Sequence, residues 1–379
     1  MPEPVIPDYG GAHLCGVIPG ILLASPGRRP SWFPEPLQRA NRTVLLLIDG
    51  LGHHQLTERT TAASASTGNL APTLTTFSSS TITTVAPSTT ASALTSLVTG
   101  TSPLDHGIVG YRMDMGRGDI MNSLRWHNGT RDLRPVYPPS DVQPIPPFAG
   151  YRVPVVSRAE LEGTGFTEAH LRGSRPIGWR TVSSLITQVV RALDGGTDFV
   201  YAYYDGIDKI AHEYGFGDFY DNELAFVDRL VESLLGSLPT DTTLAVTADH
   251  GQVQVDDRII ELDPTVLGCV SHQSGEGRFR WLHAPVSRRT DLLARCLDLY
   301  SDVAWVVTKD RILDERWLGP AQGGSARDDV VRRLGDVALV PFAPVSFHDP
   351  LDSGPFSLVC RHGSLTEHEM HVPLLARTV

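Results

Sequence analysis

The sequence predicts an α/β protein with a doubly wound, mainly parallel sheet flanked by helices. Five apolar runs have the length of strands and little polar alternation, as strands buried on both faces of a parallel sheet do. They are Val44–Ile48, Phe199–Tyr203, Leu244–Ala248, Val303–Val307 and Val337–Val340. Segments with apolar residues at helical spacing lie between some of these runs, and such strand–helix alternation is typical of a doubly wound sheet.

Two helices are predicted from apolar residues that recur at i, i+3, i+4 and i+7. The first covers 182–193 and ends at the glycine pair 195–196, because glycine commonly terminates helices. The second covers 224–234 and follows Asp221 and Asn222, which are residue types preferred at N-caps.

The segment from Tyr111 to about Pro154 interrupts this alternation. It is rich in proline, glycine, arginine and aromatic residues, and it contains RWHNG and VYPPSDVQPIPP. A long irregular stretch inside a compact enzyme is usually a functional loop or lid. We therefore interpret residues 111–178 as an inserted lid that determines substrate specificity.

The composition excludes several kinds of partner. The net charge is −11 and no stretch is rich in lysine and arginine, so we expect no nucleic-acid polymer to bind. No apolar run reaches the roughly 18 residues of a transmembrane helix, and the N-terminal residues lack the basic region of a secretory signal. The four cysteines are dispersed without a CxxC pair, which fits a reducing compartment. We expect a cytoplasmic protein without a membrane partner, of undetermined oligomeric state.

Acidic residues and histidines follow two of the predicted strands directly. Asp49 comes after TVLLLI and before Gly50, and Asp249, His250 and Gly251 come after TLAVTA. In open α/β sheets ligands bind beyond the carboxyl ends of strands. A turn that merely prefers Asp-Gly is the alternative, and it is less satisfactory because the pattern occurs twice.

Three further residues share this chemistry. Asp208 and His212 are four positions apart, so on a helix they would share one face and could bind one metal ion; a solvated helix face is the alternative. His362 precedes Gly363 after the apolar FSLVC. The other histidines that we considered have no matching carboxylate nearby or lie on a predicted short helix, and we interpret them as structural or lid residues: His53, His54, His106, His127, His368 and His371.

The candidates are too many for one tetrahedral ion and suit two: Asp49, Asp208, His212, Asp249, His250 and His362. Two metal ions about 4 Å apart can hold both the attacking and the leaving oxygen of a phosphoryl transfer. The sequence therefore predicts a small phosphorylated substrate.

The serine- and threonine-rich stretch 78–100 contains hydroxyls that could act in such a reaction. Leu94, Leu97 and Val98 recur at helical spacing in it, which a flexible linker would not need. Pro87 lies just before this predicted helix, so Thr90 would fall at the helix N-terminus, where free N–H groups favour a phosphoryl group. Ser88, Thr89 and Ser92 are interpreted as capping or surface hydroxyls.

This ordered set of motifs, from DG at 49 to HGS at 362, resembles the alkaline phosphatase superfamily and most closely its nucleotide pyrophosphatase/phosphodiesterase branch. The resemblance implies one alkaline phosphatase-like domain over residues 1–379. It also implies a threonine nucleophile nine residues before the threonine of VTG, which is Thr90 counted from Thr99.

The resemblance further implies two divalent metal ions, zinc first, with manganese or iron possible. The nucleophile-side ion would be held by Asp49, Thr90, Asp249 and His250, and the second by Asp208, His212 and His362. The implied reaction is hydrolysis of a phosphodiester or pyrophosphate bond through a covalent threonine ester.

One departure from the family pattern lies just after HGIVG. The eukaryotic-type branch has a phosphate-binding asparagine there, whereas this chain has Tyr111 followed by Arg112. We expect both at the substrate, since Arg112 could bind a phosphate through two parallel hydrogen bonds. A phosphomonoesterase or a phosphonate hydrolase stays open as an alternative. A catalytically silent metal-binding protein is less favoured, because every candidate ligand and Thr90 are present.

Overall fold

The computed structural model describes residues 2–61, 68–321, 326–352 and 358–379. The strands of these residues are β1 (Arg42–Ile48), β2 (Ser78–Thr83), β3 (Arg112–Asp114), β4 (Ile120–Asn122), β5 (Pro154–Arg158), β6 (Arg175–Trp179), β7 (Phe199–Tyr204), β8 (Thr242–Thr247), β9 (Val253–Gln254), β10 (Ile259–Ile260), β11 (His272–Glu276), β12 (Phe279–His283), β13 (Ala304–Thr308), β14 (Val337–Pro341), β15 (Ser346–Phe347), β16 (Cys360–Arg361) and β17 (His371–Thr378).

The α-helices of the same residues are α1 (Val17–Leu22), α2 (Glu35–Arg39), α3 (His53–Thr60), α4 (Thr90–Thr99), α5 (Pro103–His106), α6 (Pro139–Val142), α7 (Gly165–His170), α8 (Val182–Asp194), α9 (Gly206–Tyr214), α10 (Asp218–Leu235), α11 (Pro264–Leu267), α12 (Arg289–Tyr300), α13 (Lys309–Asp314), α14 (Asp328–Val331) and α15 (Glu367–Met370). No helix of the described residues has both the length and the apolar character needed to cross a bilayer.

The main sheet has seven strands in the order β2-β17-β8-β1-β7-β5-β6. Strands β8, β1, β7, β5 and β6 run parallel, and near one edge β17 runs antiparallel to both of its neighbours, β8 and β2. All residues of β1 except Arg42 are buried, as its continuous apolar sequence predicts for a central strand covered on both faces. The predicted doubly wound, mainly parallel sheet is therefore confirmed.

Two of the five predicted strands lie elsewhere. β13 and β14 belong to a separate antiparallel sheet with the order β11-β12-β14-β13. One face of this sheet packs into the main core through Trp305 and Val307, and the other packs on α12 through Val306 and Leu339. Their apolar runs reflect burial on both faces, which an antiparallel sheet covered on both sides also provides.

Part of the predicted lid belongs to the main sheet. β5 and all of β6 except Trp179 lie within residues 111–178, and the two strands form the edge of the main sheet opposite β2. Residues 111–153, with the β3–β4 hairpin and α6, lie outside that sheet. The single-domain assignment and the role of the segment in specificity stay predictions.

The two predicted helices correspond to α8 and α10. α8 begins at a capping box of Thr181 and Ser184 and ends before Gly195, as expected. α10 begins earlier than expected, at Asp218 after Gly217, so Asp221 lies in its first turn and forms an ion pair with Arg59 at 2.6 Å.

A buried ion pair connects the second sheet to the segment that carries His362. Arg278 and Glu369 have no exposed surface, and two parallel hydrogen bonds of 2.7 and 2.8 Å join them. Glu369 also accepts hydrogen bonds from Ser364 and Thr366, and Arg278 donates to three backbone carbonyls. Because every charged atom has partners, the pair can hold this segment in place without an isolated buried charge.

Candidate active site

The candidate site lies at the carboxyl ends of three adjacent strands, β8, β1 and β7. Asp49 directly follows β1, Asp249 lies two residues after β8, and α9 begins just after β7 and carries Asp208. Parallel strands end at the same edge of a sheet, so these carboxylates meet although they are far apart in the chain. Thr90 is the first residue of α4, and His362 directly follows β16.

The six predicted acidic and histidine ligands come together around His250. One group of donor atoms within 4.8 Å of one another consists of Asp49, Asp249 and His250, and a second consists of Asp208, His250 and His362. The His212 Nε2 atom lies 3.3 Å from the Asp208 Oδ1 atom, which places it beside the second group. The structure therefore brings the predicted residues into two adjoining clusters; the assignment of ions to them stays a prediction.

Each of the three histidines presents its Nε2 atom to these clusters. The Nδ1 atoms of His212, His250 and His362 lie 2.7, 3.1 and 2.9 Å from the backbone carbonyls of Cys360, Gly251 and Ser88. A carbonyl only accepts hydrogen bonds, so Nδ1 must carry the proton and, in the neutral ring, Nε2 has a free lone pair. Such second contacts orient metal-binding histidines in known sites.

The buried carboxylates of the site need a positive charge nearby to be stable in their ionised form. Burial raises the pKa of Asp49 well above its ordinary value, and repulsion by Asp249 and Asp208 raises it further. Burial also raises the pKa values of Asp208 and Asp249, and it lowers those of His250 and His362. Three carboxylates beside neutral imidazoles are unfavourable in a buried place unless cations accompany them.

The donor atoms that face the clusters fit divalent metal ions. Asp49 Oδ1 and Asp249 Oδ2 are buried and have no hydrogen-bond partner in the described part of the chain. Lys209 does not supply the missing charge directly, because its ammonium group pairs with Asp205 at 2.5 Å. Imidazole nitrogens and carboxylate oxygens are ligands that zinc, manganese and iron accept.

Thr90 is the hydroxyl of the serine- and threonine-rich stretch that faces the clusters. Its Oγ1 atom lies 3.1 Å from the Nε2 atom of His250. The hydroxyls of Ser88 and Ser92 instead donate to the backbone carbonyls of Ser364 and Ile108, at 2.6 and 2.9 Å. Among the described residues, no side chain caps the N-terminus of α4, so its first N–H groups can bind a ligand.

Three residues that sequence patterns missed support the clusters. Tyr203 donates a hydrogen bond to Asp49 Oδ2, and Gln252 donates one of 2.8 Å to Asp208 Oδ1. Glu276 is buried and interacts with Thr89, the neighbour of Thr90, and burial raises its pKa to about 8. Gln252 follows the DHG motif and could have been noticed there, but Tyr203 and Glu276 carry no signal in the local sequence.

A cavity of about 210 Å³ adjoins Asp49, Thr90 and Asp208. The residues that line it on the remaining sides are largely apolar: Leu94, Leu124, Leu161, Phe166, Leu171, Tyr201 and Tyr203, with Ser157, Thr164, Thr167, His170, Asp205 and Lys209. Several come from residues 111–178, so this segment does contribute to the walls of the cavity.

The structure gives Arg112 a different environment from the one expected. Its guanidinium group is buried, pairs with Asp349, and does not line the cavity. Arg280 also contacts Asp349, at 3.4 Å. Tyr111 does not line the cavity either, and burial raises its pKa. The ion pair with Asp349 already engages the guanidinium group of Arg112, which argues against the predicted phosphate contact. No local sequence pattern reveals this pairing.

We expect Arg112→Ala to lower the free energy of unfolding by about 3 kcal/mol, because it leaves a buried carboxylate with one cation fewer. Urea unfolding measures the change, and the folded fraction should keep its kcat/KM. Arg39→Ala is the control: Arg39 pairs with Glu35 at 2.6 Å, but the two side chains are 77% and 59% exposed, so at most about 1 kcal/mol should be lost. If the Arg112→Ala variant instead kept its stability and lost its activity, the result would support the predicted contact between Arg112 and the substrate.

Comparisons with known proteins identify the family of this chain and its structural relatives. The family model of type I phosphodiesterase / nucleotide pyrophosphatase matches residues 43–341. Human ectonucleotide pyrophosphatase / phosphodiesterase 5 is similar in structure, with a TM-score of 0.64, 15% identity, and coverage of 89% of this chain and 87% of that one. No curated protein matches the sequence significantly.

Two other solved structures are similar. A murine ectonucleotide pyrophosphatase / phosphodiesterase 5, an inactive threonine-to-alanine variant in complex with AMP, has a TM-score of 0.61, 16% identity, and coverage of 89% and 88%. Phosphonoacetate hydrolase from Sinorhizobium meliloti, in complex with phosphonoformate, has a TM-score of 0.58, 19% identity, and coverage of 93% and 92%. These likenesses show the shared fold. Because the family model spans most of the chain, this protein belongs to the type I phosphodiesterase / nucleotide pyrophosphatase family of the alkaline phosphatase superfamily.

Proposed function

We propose that this protein is a two-metal hydrolase that cleaves phosphodiester or pyrophosphate bonds of small molecules such as nucleotides, through a covalent ester on Thr90. The observation that carries the proposal is the position of the Thr90 hydroxyl, 3.1 Å from the histidine that both donor clusters share. A threonine hydroxyl is a weak nucleophile unless its environment favours the alkoxide. Two divalent cations, when bound, supply the positive charge that favours it and that stabilises charge on phosphoryl oxygens.

The chain itself would orient the reaction. The N–H groups at the start of α4 would bind phosphoryl oxygens, since helix N-termini favour anions. The Thr90 hydroxyl would lose its proton to solvent and attack phosphorus, while the bond from phosphorus to the leaving alcohol or phosphate oxygen breaks. Water would later hydrolyse the threonine ester, which releases the phosphorylated product and restores the hydroxyl. The murine relative with a threonine-to-alanine change, described as inactive and bound to AMP, supports both the nucleophile and a nucleotide substrate.

The apolar cavity favours a diester over a small phosphonate. Leu94, Leu124 and Phe166 can pack against an apolar group such as a nucleobase. The cavity is poorly suited to a carboxylate like that of phosphonoacetate, because Lys209, the one lysine or arginine among its lining residues in the described chain, is already paired with Asp205. Phosphonate hydrolysis, supported by the Sinorhizobium meliloti relative, is the second candidate.

A substrate panel tests this proposal. Bis-p-nitrophenyl phosphate, the p-nitrophenyl ester of a nucleotide, p-nitrophenyl phosphate and phosphonoacetate would be assayed with zinc and with manganese. We expect kcat/KM for the nucleotide ester to exceed that for the monoester by at least about 10-fold, the scale of a few apolar contacts. Elemental analysis should give at least two metal equivalents per active chain. Full activity with fewer equivalents would refute the two-metal reaction, and a preference for phosphonoacetate would favour the second candidate.

A further inference from the structure

A third cluster of metal-binding residue types lies outside the candidate active site. It consists of Asp114 at the end of β3, His272 at the start of β11 and His283 at the end of β12. One donor atom from each lies within 4.8 Å of the others, and no residue is shared with the clusters around His250. The cluster joins the β3–β4 hairpin to the second sheet, two parts of the chain that are about 160 residues apart.

The separations between the donor atoms suit one small cation. The Asp114 Oδ2 atom lies 2.9 Å from His272 Nε2 and 3.6 Å from His283 Nδ1. Ligands about 2.1 Å from a tetrahedral ion are about 3.4 Å from one another, a value between these two. The imidazole rings are stacked with centroids 4.1 Å apart, and one nitrogen of each ring lies within 3.6 Å of the same carboxylate oxygen.

The other polar atoms of the three side chains have partners of their own. His283 Nε2 lies 2.8 Å from the Ser274 hydroxyl, and the second carboxylate oxygen of Asp114 accepts a hydrogen bond of 2.7 Å from the Gly116 N–H. His272 Nδ1 lies 3.3 Å from the Ser271 hydroxyl. This arrangement, in which outer contacts orient inward-facing donors, is typical of metal sites.

The cluster is also accessible. The His272 side chain is 37% exposed, whereas His283 and Asp114 are mostly buried, so a cation can enter from solvent and a water molecule can complete its coordination. Two imidazole nitrogens with one carboxylate select a transition-metal ion such as zinc, since magnesium and calcium prefer oxygen ligands.

We propose that Asp114, His272 and His283 bind one zinc-class divalent ion, separate from the active-site ions, which cross-links the β3–β4 hairpin to the second sheet. The alternative is a hydrogen bond between Asp114 and His272 that needs no ion. The two differ in the number of cations that the chain binds.

The test is a cobalt titration of chelator-treated full-length protein, read by visible absorption and by elemental analysis after desalting. His272→Ala and Asp114→Asn should each bind one equivalent fewer than the wild-type chain. His348→Ala is the matched control, because its ring pairs with the exposed Glu261 at 2.7 Å and the described residues place no third donor beside this pair; the variant should bind as many equivalents as wild type. Equal binding by all four proteins would overturn the proposal.

A second variant keeps the test decisive if the first ones fold poorly. His272→Cys places a thiolate where the imidazole was, so cobalt bound there should give a thiolate-to-cobalt charge-transfer band that the wild-type chain lacks. The four native cysteines are buried and unpaired, and none belongs to the cluster. Absence of the band in folded His272→Cys protein would refute the site. Because each comparison is between variants, the result does not depend on whether the clusters around His250 are filled.

Discussion

Thr90→Ala should lower kcat by about three orders of magnitude or more, the scale observed when enzymes lose a covalent nucleophile. The variant lacks the hydroxyl that lies 3.1 Å from His250 Nε2, but it keeps the five donor residues of both clusters and the adjacent His212. Metal content should therefore stay near that of the wild-type chain while turnover is lost. Steady-state kinetics and elemental analysis on the same preparation measure both.

Neighbouring hydroxyls provide the controls for this prediction. Thr90→Ser should retain more activity than Thr90→Ala, because serine places an oxygen at the same position. Ser92→Ala should lower stability by about 1 kcal/mol through its lost hydrogen bond to Ile108, with little change in kcat. Rapid acid quenching of the wild-type enzyme should trap a phosphoryl or nucleotidyl ester on Thr90. If Thr90→Ala were active and Thr89→Ala inactive, the nucleophile would be Thr89 and not Thr90.

Asp49→Asn should have opposite effects on activity and on the stability of the metal-free protein. Activity should fall at least about 100-fold, since even outer partners of metal ligands cost up to that factor. In chelator-treated protein, however, the substitution removes repulsion between Asp49 and Asp249, whose oxygens belong to one cluster within 4.8 Å. Two unit charges about 4 Å apart repel by about 1–4 kcal/mol, so we expect the free energy of unfolding to rise by that order.

The pH dependence gives this prediction a second readout. Because the pKa of Asp49 is raised in the folded chain, folding takes up a proton, and this stabilises the metal-free protein at low pH. That stability is lost as the pH rises through the folded pKa. The metal-free Asp49→Asn variant should therefore have a higher free energy of unfolding than wild type at pH 8 but not near pH 4. Urea unfolding with chelator measures the difference.

Asp198→Asn serves as the control for this pair of measurements, because the Asp198 carboxylate is 80% exposed, close to Arg42, and outside both donor clusters. It should change neither activity nor the pH dependence of stability. If Asp49→Asn were less stable than wild type at pH 8 without metal, repulsion among the carboxylates would not be the dominant effect.

The sequence by itself predicted a mainly parallel sheet, three of its strands (β1, β7 and β8) and the positions where the site begins. A buried strand followed at once by Asp and Gly is a local pattern, and neighbouring parallel strands necessarily end at one edge, so Asp49 and Asp249 could be placed together. Helical spacing likewise placed Thr90 at the start of α4. These features depend on residues close in the chain.

The tertiary structure decided whatever depends on contacts between distant segments. Arg112 pairs with Asp349, 237 positions later, and Asp114 meets His272, 158 positions later. An apolar run reports burial on both faces but not the direction of the neighbouring strand, which is why β13 and β14 could not be assigned to the second sheet. Pairing between such segments depends on how the whole chain packs, and local propensity and residue spacing do not predict it.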